Sequence, residues 1–248
     1  MAFTGSTILV TGAASGIGLA TARHLASEGA TRLVLVDREA DALARVTLPC
    51  ATELLPGDVA DEAFWDAAAP RLGGLTCAVV NAGVAGAGSI ETLAFAEWRR
   101  ILSVNLDGAF LTLRAAMRAI TGPGAIVAVS SAAGVKAEPG IAAYAASKAA
   151  LIQLVRVAAK EGAPRGLRVN AIAPAGVETP VWDAVPMFAE RAAIVGRDAA
   201  FAELAAMATP LGRYAKPEEI ARQVAFLLSG DAQLITGAVL VSDGGYTL

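Results

Sequence analysis

Short apolar runs alternate with alanine-rich stretches along the whole chain. Most of the runs are continuously apolar, which is typical of strands in a parallel sheet that is covered on both faces. The predicted strands are residues 7–11, 32–36, 52–55, 77–80, 125–129, 168–172 and 238–241. The alanine-rich stretches between them predict helices over residues 16–28, 39–46, 61–71, 94–104, 107–120, 143–162 and 217–228.

The alternation of strand and helix predicts an α/β fold, a doubly wound Rossmann-type sheet with right-handed crossovers. We expect about seven parallel strands with helices on both faces, in a single domain over residues 1–248. Only segment 174–210 breaks the alternation, and a segment this long is usually a lid or binding loop. We expect it to bind substrate, with Trp182, Met187 and Phe188 as an apolar wall; a surface helix pair without a ligand role is the alternative.

The composition excludes some classes of protein. Of the 248 residues, 55% are hydrophobic and 17% are charged, and the net charge is −3. A disordered chain needs low hydrophobicity and high charge, and a nucleic-acid binder normally needs a basic surface. We therefore expect a folded protein without a nucleic-acid partner.

The chain start has no basic region before its short apolar run, so we expect no secretion signal. The longest apolar stretch, 142–159, is interrupted by polar residues, Lys148 among them, and we expect no membrane span. Cys50 and Cys77 lie far apart in no metal-binding spacing, which favours reduced thiols, no bound metal and a cytoplasmic location.

A glycine-rich turn follows the first predicted strand and precedes a helix. Gly12 allows the tight turn, Gly16 lets the backbone approach a pyrophosphate, and Gly18 lets the helix pack on the sheet. The N–H groups at the helix start face the anion. A plain structural turn is the alternative. The residues assigned to the cofactor in this turn are Gly12, Ser15, Gly16, Ile17 and Gly18.

The second strand leads to Asp37, 19 residues after Gly18. An acidic side chain there accepts hydrogen bonds from the adenosine ribose and repels a 2′-phosphate. Residue 15 is a serine, whereas a basic residue there would pair with a 2′-phosphate. These residues predict NAD rather than NADP, although Arg38 is placed to turn toward a phosphate and is the counter-argument.

Two further strand ends are candidates for cofactor contacts. Asp58 follows the third strand and is placed to contact the edge of the adenine, with Val59 packed beside the adenine ring. The alternative is that Asp58 only forms a turn. The small residues Asn81, Ala82 and Gly83 follow the fourth strand. In a sheet ordered 3-2-1-4 this turn lies at the switch point, against the cofactor.

Tyr144 and Lys148 lie one helical turn apart, so they share a face of their helix. A phenol has a pKa near 10, too high for a base at neutral pH, and a nearby ammonium favours the phenolate. Ser131 follows the fifth strand and can hydrogen-bond a substrate oxygen, and Asn105 can hold a water that reaches Lys148. Each assignment has an alternative. Tyr144 and Lys148 could be a surface pair, and Ser131 could only make hydrogen bonds at the end of its strand. Asn105 could be a buried residue whose polar groups are all hydrogen-bonded.

These residues together resemble the short-chain dehydrogenase/reductase family, over essentially the whole chain. The matching motifs are 11–18, Asp58, 81–83, Asn105, Ser131, Tyr144 with Lys148, 217–219, 235–237 and 243–245. Ser131 precedes Tyr144 by thirteen positions, as in the family, which selects it over Ser130. Two positions depart from the family pattern: Val80 replaces an asparagine, and Ala175 replaces a glycine that here stands at 176.

The resemblance implies roles for individual residues. Tyr144 would be the acid/base, Ser131 would steady the substrate oxygen, Lys148 would hold the nicotinamide ribose and lower the tyrosine pKa, and Asn105 would complete a proton relay. Thr179 would bind the nicotinamide carboxamide. The other cofactor contacts assigned at the sixth strand end are Pro174, Gly176 and Val177.

The expected function is therefore NAD-dependent hydride transfer between a secondary alcohol and its ketone. The lid and the small residues after Ser131 favour a bulky apolar or cyclic alcohol, as for hydroxysteroid, cyclic-alcohol or dihydrodiol dehydrogenases. The alternatives are a 3-oxoacyl-[acyl-carrier-protein] reductase-like ketoreductase and an NAD-sensing Rossmann protein without chemistry. The family resemblance also implies a homotetramer, with contacts through helices 107–120 and 143–162 and the last strand.

Overall fold

Seven parallel strands form one sheet in the computed structural model, which describes residues 1–248 apart from the side chains of residues 184 and 186. The sheet order is β3-β2-β1-β4-β5-β6-β7, so the predicted doubly wound fold and its 3-2-1-4 order are confirmed. The strands are β1 (Thr7–Thr11), β2 (Arg32–Asp37), β3 (Ala51–Pro56), β4 (Cys77–Val80), β5 (Gly124–Val129), β6 (Leu167–Pro174) and β7 (Val239–Ser242).

The helices agree with the predicted ones except at the lid and at the ends of several elements. The helices are α1 (Gly16–Ser27), α2 (Ala40–Ala44), α3 (Glu62–Ala68), α4 (Phe95–Leu102), α5 (Gly108–Ala119), α6 (Ala142–Gly162), α7 (Pro186–Val195), α8 (Arg197–Ala208) and α9 (Pro217–Leu228). Helices α4 and α5 are joined by a turn of π-helix, Ser103–Asp107, which contains Asn105.

Both faces of the sheet are buried, which explains the continuously apolar strands. In β1, Leu9 packs with helices α3, α5 and α6 on one face, whereas Ile8 and Val10 pack with α1, α2 and α9 on the other. Successive side chains of a strand point to opposite faces. The central strands β1, β4 and β5 are therefore apolar at most positions, whereas the edge strand β3 contains Thr52 and Glu53.

The segment after β6 folds into a short 3₁₀ turn, Pro180–Ala184, and the two helices α7 and α8. A third apolar cluster fills the space under these helices, with Phe188, Phe201 and Tyr214 buried at its centre. This segment thus has its own small core, separate from the two layers of the sheet. Among the described residues, we find no helix long and apolar enough to cross a membrane.

Candidate active site

A cavity of about 860 Å³ lies at the carboxyl ends of the strands, where ligands bind in open α/β sheets. Seventeen residues predicted to contact the cofactor line its wall: Gly12, Ser15, Gly16, Ile17, Asp37, Arg38, Asp58, Val59, Asn81, Ala82, Gly83, Tyr144, Lys148, Pro174, Gly176, Val177 and Thr179. Ser131 lines it as well. Gly18 and Asn105 lie behind the wall rather than on it.

The glycine-rich turn is built for close backbone approach. Gly12 and Gly16 have φ angles of +65° and +52°, in the left-handed region that favours glycine. A Cβ on Gly12 would lie 2.7 Å from Nδ2 of Asn81, and one on Gly18 would lie 2.0 Å from the carbonyl oxygen of Gly12. Gly18 therefore has the packing role predicted for it. The first turn of α1 is left open to the cavity, and this cradle fits the phosphates of a dinucleotide.

Asn81 and Thr11 tie the turn to the end of β4. Asn81 Nδ2 donates to the carbonyl oxygens of Thr11 and Gly12, at 2.9 and 3.3 Å. The Thr11 hydroxyl accepts from the backbone N–H groups of Asn81 and Ala82, at 3.0 and 3.2 Å. The polar groups of this junction thus fix the floor of the site, and Asn81 acts on the turn through its side chain.

Asp37 is held at the edge of the same turn. Its Oδ2 accepts from the backbone N–H of Ala14 at 2.9 Å, and its Oδ1 accepts from that of Glu39 at 3.1 Å. The neighbouring Arg38 is exposed and pairs with Glu39 at 3.2 Å. The carboxylate therefore faces the cavity in a fixed position, while the guanidinium already has an acidic partner.

Asp58 stabilises a turn, which was the alternative role predicted for it. Its Oδ1 accepts a hydrogen bond from the backbone N–H of Ala60 at 2.9 Å. Its side chain remains exposed on the cavity wall beside the buried Val59. A turn-forming role and a ligand contact are compatible here, since a carboxylate has several acceptor positions.

The cofactor contacts predicted around Thr179 lie at the end of β6 and in the segment that follows it. The Val177 carbonyl oxygen accepts from the backbone N–H of Thr179 at 2.8 Å and from Nε1 of Trp182 at 2.9 Å. Thr179 is buried, and its methyl group would lie 3.3 Å from a Cβ on Gly16. The predicted carboxamide site is therefore beside the glycine-rich turn. The glycine at 176 is required, since a Cβ there would lie 2.3 Å from the Tyr214 ring.

Tyr144, Ser131 and Lys148 converge on one wall of the cavity. Burial raises the pKa of the Tyr144 phenol, and the Ser131 hydroxyl, as a hydrogen-bond partner, offsets part of that rise. Burial also lowers the pKa of Lys148 to about 8. The Lys148 Nζ lies 5.8 Å from the centroid of the Tyr144 ring and donates to the Val129 carbonyl oxygen at 3.0 Å.

The pKa of the Tyr144 phenol depends on its burial as well as on its neighbours. The spacing of Tyr144 and Lys148 predicts a lowered tyrosine pKa, whereas the pKa of Tyr144 is raised. Desolvation disfavours the charged form of both groups, and burial is the largest cause of the raised pKa of Tyr144. The arrangement therefore favours a protonated phenol beside a hydroxyl, which can pass a proton to or from an oxygen between them.

Two serines that flank the catalytic candidates are structural. The Ser130 hydroxyl donates to the Lys148 carbonyl oxygen at 2.9 Å, and the Ser147 hydroxyl donates to that of Tyr144 at 2.7 Å. The side-chain oxygen of Ser131 accepts from the backbone N–H of Ala133 at 3.1 Å. Sequence reasoning missed Ser147, although a serine among alanines on the buried side of a helix is a signal for such a contact.

Of the three residues predicted to form an apolar wall, only Trp182 lines the cavity. Trp182 lines the cavity, whereas Phe188 is fully buried in the lid core and Met187 is 61% exposed. The wall is instead completed by Tyr214, stacked on Trp182 with ring centroids 5.4 Å apart, and by Tyr246 near the chain end. Sequence reasoning missed both tyrosines. The glycine pair before Tyr246 was the available signal, since two glycines predict a turn.

Glu97 and Arg100 also line the cavity and had no predicted role. The guanidinium pairs with the Glu97 carboxylate at 2.7 Å and donates to the Ala85 carbonyl oxygen at 2.9 Å. The pair thus closes one side of the cavity and fixes the chain after β4. Its spacing of three residues on a helix is the signal that identifies it as a local ion pair.

Comparison with known proteins gives a consistent picture. A family model described as enoyl-(acyl carrier protein) reductase matches residues 12–247. The chain is 40% identical to cis-4-hydroxycyclohexanecarboxylate dehydrogenase of Sinomonas cyclohexanicum, covering 99% of this chain and 98% of that protein. It is 34% identical to 3-oxoacyl-[acyl-carrier-protein] reductase of Thermotoga maritima, covering both chains completely (100% of each).

Solved structures agree with these relatives. L-sorbose reductase from Gluconobacter frateurii, complexed with NADPH and L-sorbose, superposes with a TM-score of 0.91 at 29% identity. The alignment covers 100% of this chain and 98% of that one. The likeness therefore extends over all seven strands and segment 174–210.

Proposed function

Because this chain belongs to the short-chain dehydrogenase/reductase family, we propose that it is an NAD-dependent dehydrogenase that interconverts a secondary alcohol and its ketone. One observation carries the proposal: Tyr144, Ser131 and Lys148 line the same cavity as the glycine-rich turn. A nucleotide sensor needs the turn alone, whereas a proton-transfer group on the same wall serves a reaction.

The protein's own part of the reaction is to hold an oxygen and move a proton. In oxidation, Ser131 would position the substrate oxygen while Tyr144 takes its proton; in reduction, Tyr144 would return it. The raised pKa of Tyr144 favours the protonated phenol near neutral pH, so alcohol oxidation should be favoured by alkaline conditions. When bound, the nicotinamide cofactor supplies the hydride acceptor or donor.

We infer NAD rather than NADP from the edge of the glycine-rich turn. A fixed carboxylate at Asp37 suits ribose hydroxyls and repels a 2′-phosphate. The guanidinium of Arg38, the nearby candidate for pairing with a phosphate, has Glu39 as its partner. Both observations support the same choice of cofactor.

The substrate end of the cavity supports a bulky apolar or cyclic alcohol. Segment 174–210 would act as the substrate lid, since it lines the cavity with Pro180, Val181, Trp182, Val185 and Ala208. Ala132 and Ala133 line the opposite side, after Ser131. Apolar walls beside a proton-transfer group select substrates by shape and apolar contact.

A screen of secondary alcohols tests this function. The protein is incubated with NAD and a panel of cyclic, steroidal and sugar alcohols at alkaline pH, and NADH absorbance is followed. We expect turnover with cyclic secondary alcohols and little with matched primary alcohols. A thermal shift with NADH but no turnover in either direction would instead favour the sensing alternative.

The ketoreductase alternative is tested in the same experiment. The similarity to the Thermotoga maritima reductase favours it, and it predicts NADPH-dependent reduction of an acetoacetyl thioester. We expect this activity to be at least ~10-fold weaker than the oxidation of the best cyclic alcohol, because Asp37 opposes a 2′-phosphate. The reverse ranking would replace our proposal with the ketoreductase.

We further propose a homotetramer in the cytoplasm. Apolar side chains stand exposed on the elements expected to form contacts: Phe110 on α5, Val157 on α6 and Val241 on β7, and such side chains suit subunit interfaces. The free thiols of Cys50 and Cys77 suit a reducing compartment. Light scattering coupled to size exclusion should give four times the mass of the chain.

A further inference from the structure

The last residues of the chain form a turn that their own sequence stabilises. Asp243 accepts hydrogen bonds from the backbone N–H groups of Gly245 and Thr247, at 2.9 and 2.8 Å, and from the Thr247 hydroxyl at 2.6 Å. Gly245 has a φ angle of +88°, which other residues rarely adopt. This chain-end turn, residues 243–247, places Tyr246 on the wall of the cavity.

One side of the chain-end turn packs beside the end of α8. The backbone N–H of Leu211 donates to the Gly244 carbonyl oxygen at 3.0 Å. A Cβ on Gly245 would lie 2.8 Å from Cγ of Pro210, which leaves no room for a side chain there. Because Ala208 at the end of α8 lines the cavity, the turn meets the substrate end of the cavity on this side.

The other side of the chain-end turn is held by Lys136. The Lys136 Nζ donates to the Tyr246 carbonyl oxygen at 2.9 Å and lies 4.4 Å from the centroid of the Tyr246 ring. The same ammonium pairs with Glu138 at 3.4 Å. A hydrogen bond from a charged donor is stronger than one between neutral groups, and an ammonium over an aromatic ring adds a second attraction. Lys136 therefore holds both the backbone and the ring of a residue that lines the cavity.

The backbone that carries Lys136 is fixed to the catalytic candidates. Its own N–H donates to the Ala132 carbonyl oxygen at 2.8 Å, and the Gly134 N–H donates to that of Ser131 at 2.9 Å. A Cβ on Gly134 would lie 2.8 Å from the backbone carbonyl carbon of Lys148, so this short turn packs directly on α6. Lys136 thus connects the chain-end turn to the loop after β5, which begins at Ser131.

We propose that Lys136 is a positioning residue: by holding Tyr246 between the loop after β5 and the end of α8, it sets the size of the substrate end of the cavity. Without the ammonium, the chain-end turn keeps only its contacts beside α8, and Tyr246 is free to move away from the cavity. A wider cavity binds a small cyclic alcohol less tightly, whereas a bulky one loses little. This inference rests on the proposed dehydrogenase function and adds the control of substrate size to it.

Kinetics with a small and a bulky cyclic alcohol test the inference. In Lys136→Met, which keeps an unbranched side chain but removes the ammonium, KM for cyclohexanol should rise about 3- to 10-fold with kcat unchanged, as expected when binding alone is weakened. KM for 4-tert-butylcyclohexanol should stay the same. Lys136→Arg should restore the low KM for cyclohexanol, because a guanidinium also donates to carbonyl oxygens and stacks on aromatic rings. In the control Lys160→Met, which removes an exposed ammonium that does not line the cavity, neither KM should change.

Carboxypeptidase digestion tests the same contact without any turnover. Leu248 is fully exposed, whereas release of Tyr246 requires the chain-end turn to open, so its rate follows the population of the open turn. Mass spectrometry should show that Tyr246 is released about 10-fold faster from Lys136→Met than from the unmodified protein, since a charge-assisted hydrogen bond is lost. The rate of release from Lys160→Met should equal that from the unmodified protein.

Two results would overturn the inference while the dehydrogenase activity stands. One is an equal rate of Tyr246 release from Lys136→Met and from the unmodified protein, and the other is an equal rise in KM for both alcohols. Absence of turnover with both alcohols in the unmodified protein would instead count against the proposed function. Faster release of Tyr246 from Lys136→Met would in that case still support the role of Lys136 in holding the chain end.

Discussion

The side-chain amide of Asn105 brackets the backbone of Val84: its Oδ1 accepts from the N–H at 2.8 Å, and its Nδ2 donates to the carbonyl oxygen at 3.0 Å. Nδ2 also donates to the Ser147 hydroxyl at 3.2 Å. Asn105 therefore joins the π-helical turn, the segment after β4 and α6. This position makes it a positioning residue for the helix that carries Tyr144, and its part in a proton relay stays a prediction.

The Tyr144→Phe variant should lose at least ~100-fold in turnover, because it removes the acid/base while leaving the ring. NADH binding, measured by thermal shift, should be retained, since the glycine-rich turn is untouched. Normal turnover of this variant on the true substrate would show that the tyrosine has another role.

NADH should raise the melting temperature more than NADPH at equal concentration, because stabilisation follows ligand affinity. The Asp37→Asn variant keeps an acceptor for the Ala14 N–H but removes the charge. Its preference for NADH should shrink by about 10-fold, as expected for one charge near a phosphate. Equal shifts with the two cofactors in the unmodified protein would remove the argument from Asp37.

The Lys148→Met variant should be more stable than the unmodified protein at pH 7, although inactive. The folded state lowers the pKa of Lys148 from 10.5 to about 8, so the buried charge costs on the order of 3 kcal/mol or less below pH 8. Between pH 8 and 10.5 the unfolded chain binds more protons than the folded one, so the stability of the unmodified protein rises with pH. The advantage of the variant should therefore shrink across this range.

Urea unfolding at several pH values measures that difference. Lys160→Met is the control, since Lys160 lies exposed on the same helix and should show no such trend. A Lys148→Met variant that is destabilised equally at every pH would mean that the Lys148 bond to the Val129 carbonyl outweighs its burial.

Arg197 should hold the lid closed. It donates to the Thr179 carbonyl oxygen at 2.8 Å and pairs with Asp183, and its guanidinium lies 5.4 and 5.1 Å from the ring centroids of Phe188 and Phe201. Arg197→Met should raise KM for the alcohol about 10-fold and increase proteolysis within residues 180–210, since several lid contacts are lost together.

Arg191→Met provides the comparison for the lid. Arg191 lies on α7 and forms an exposed pair with Glu203 at 2.6 Å, and such pairs contribute about 0–1 kcal/mol. KM and proteolysis should change little in this variant. Equal effects of the two substitutions would mean that Arg197 has no special connection to the site.

The order of strands and helices and the turn that begins α1 could be predicted from the sequence, because these depend on local apolar patterns and on glycine geometry. Helical spacing places Tyr144 beside Lys148, and Ser131 follows a strand at the edge where ligands bind; the family resemblance joined the three in one site. The packing of distant segments, which no local pattern reports, places Phe188 in the core rather than on the cavity wall and brings Tyr214 and Tyr246 to that wall. It also decided the direction of the Tyr144 pKa, since burial depends on every element packed around a residue and spacing along one helix does not report it.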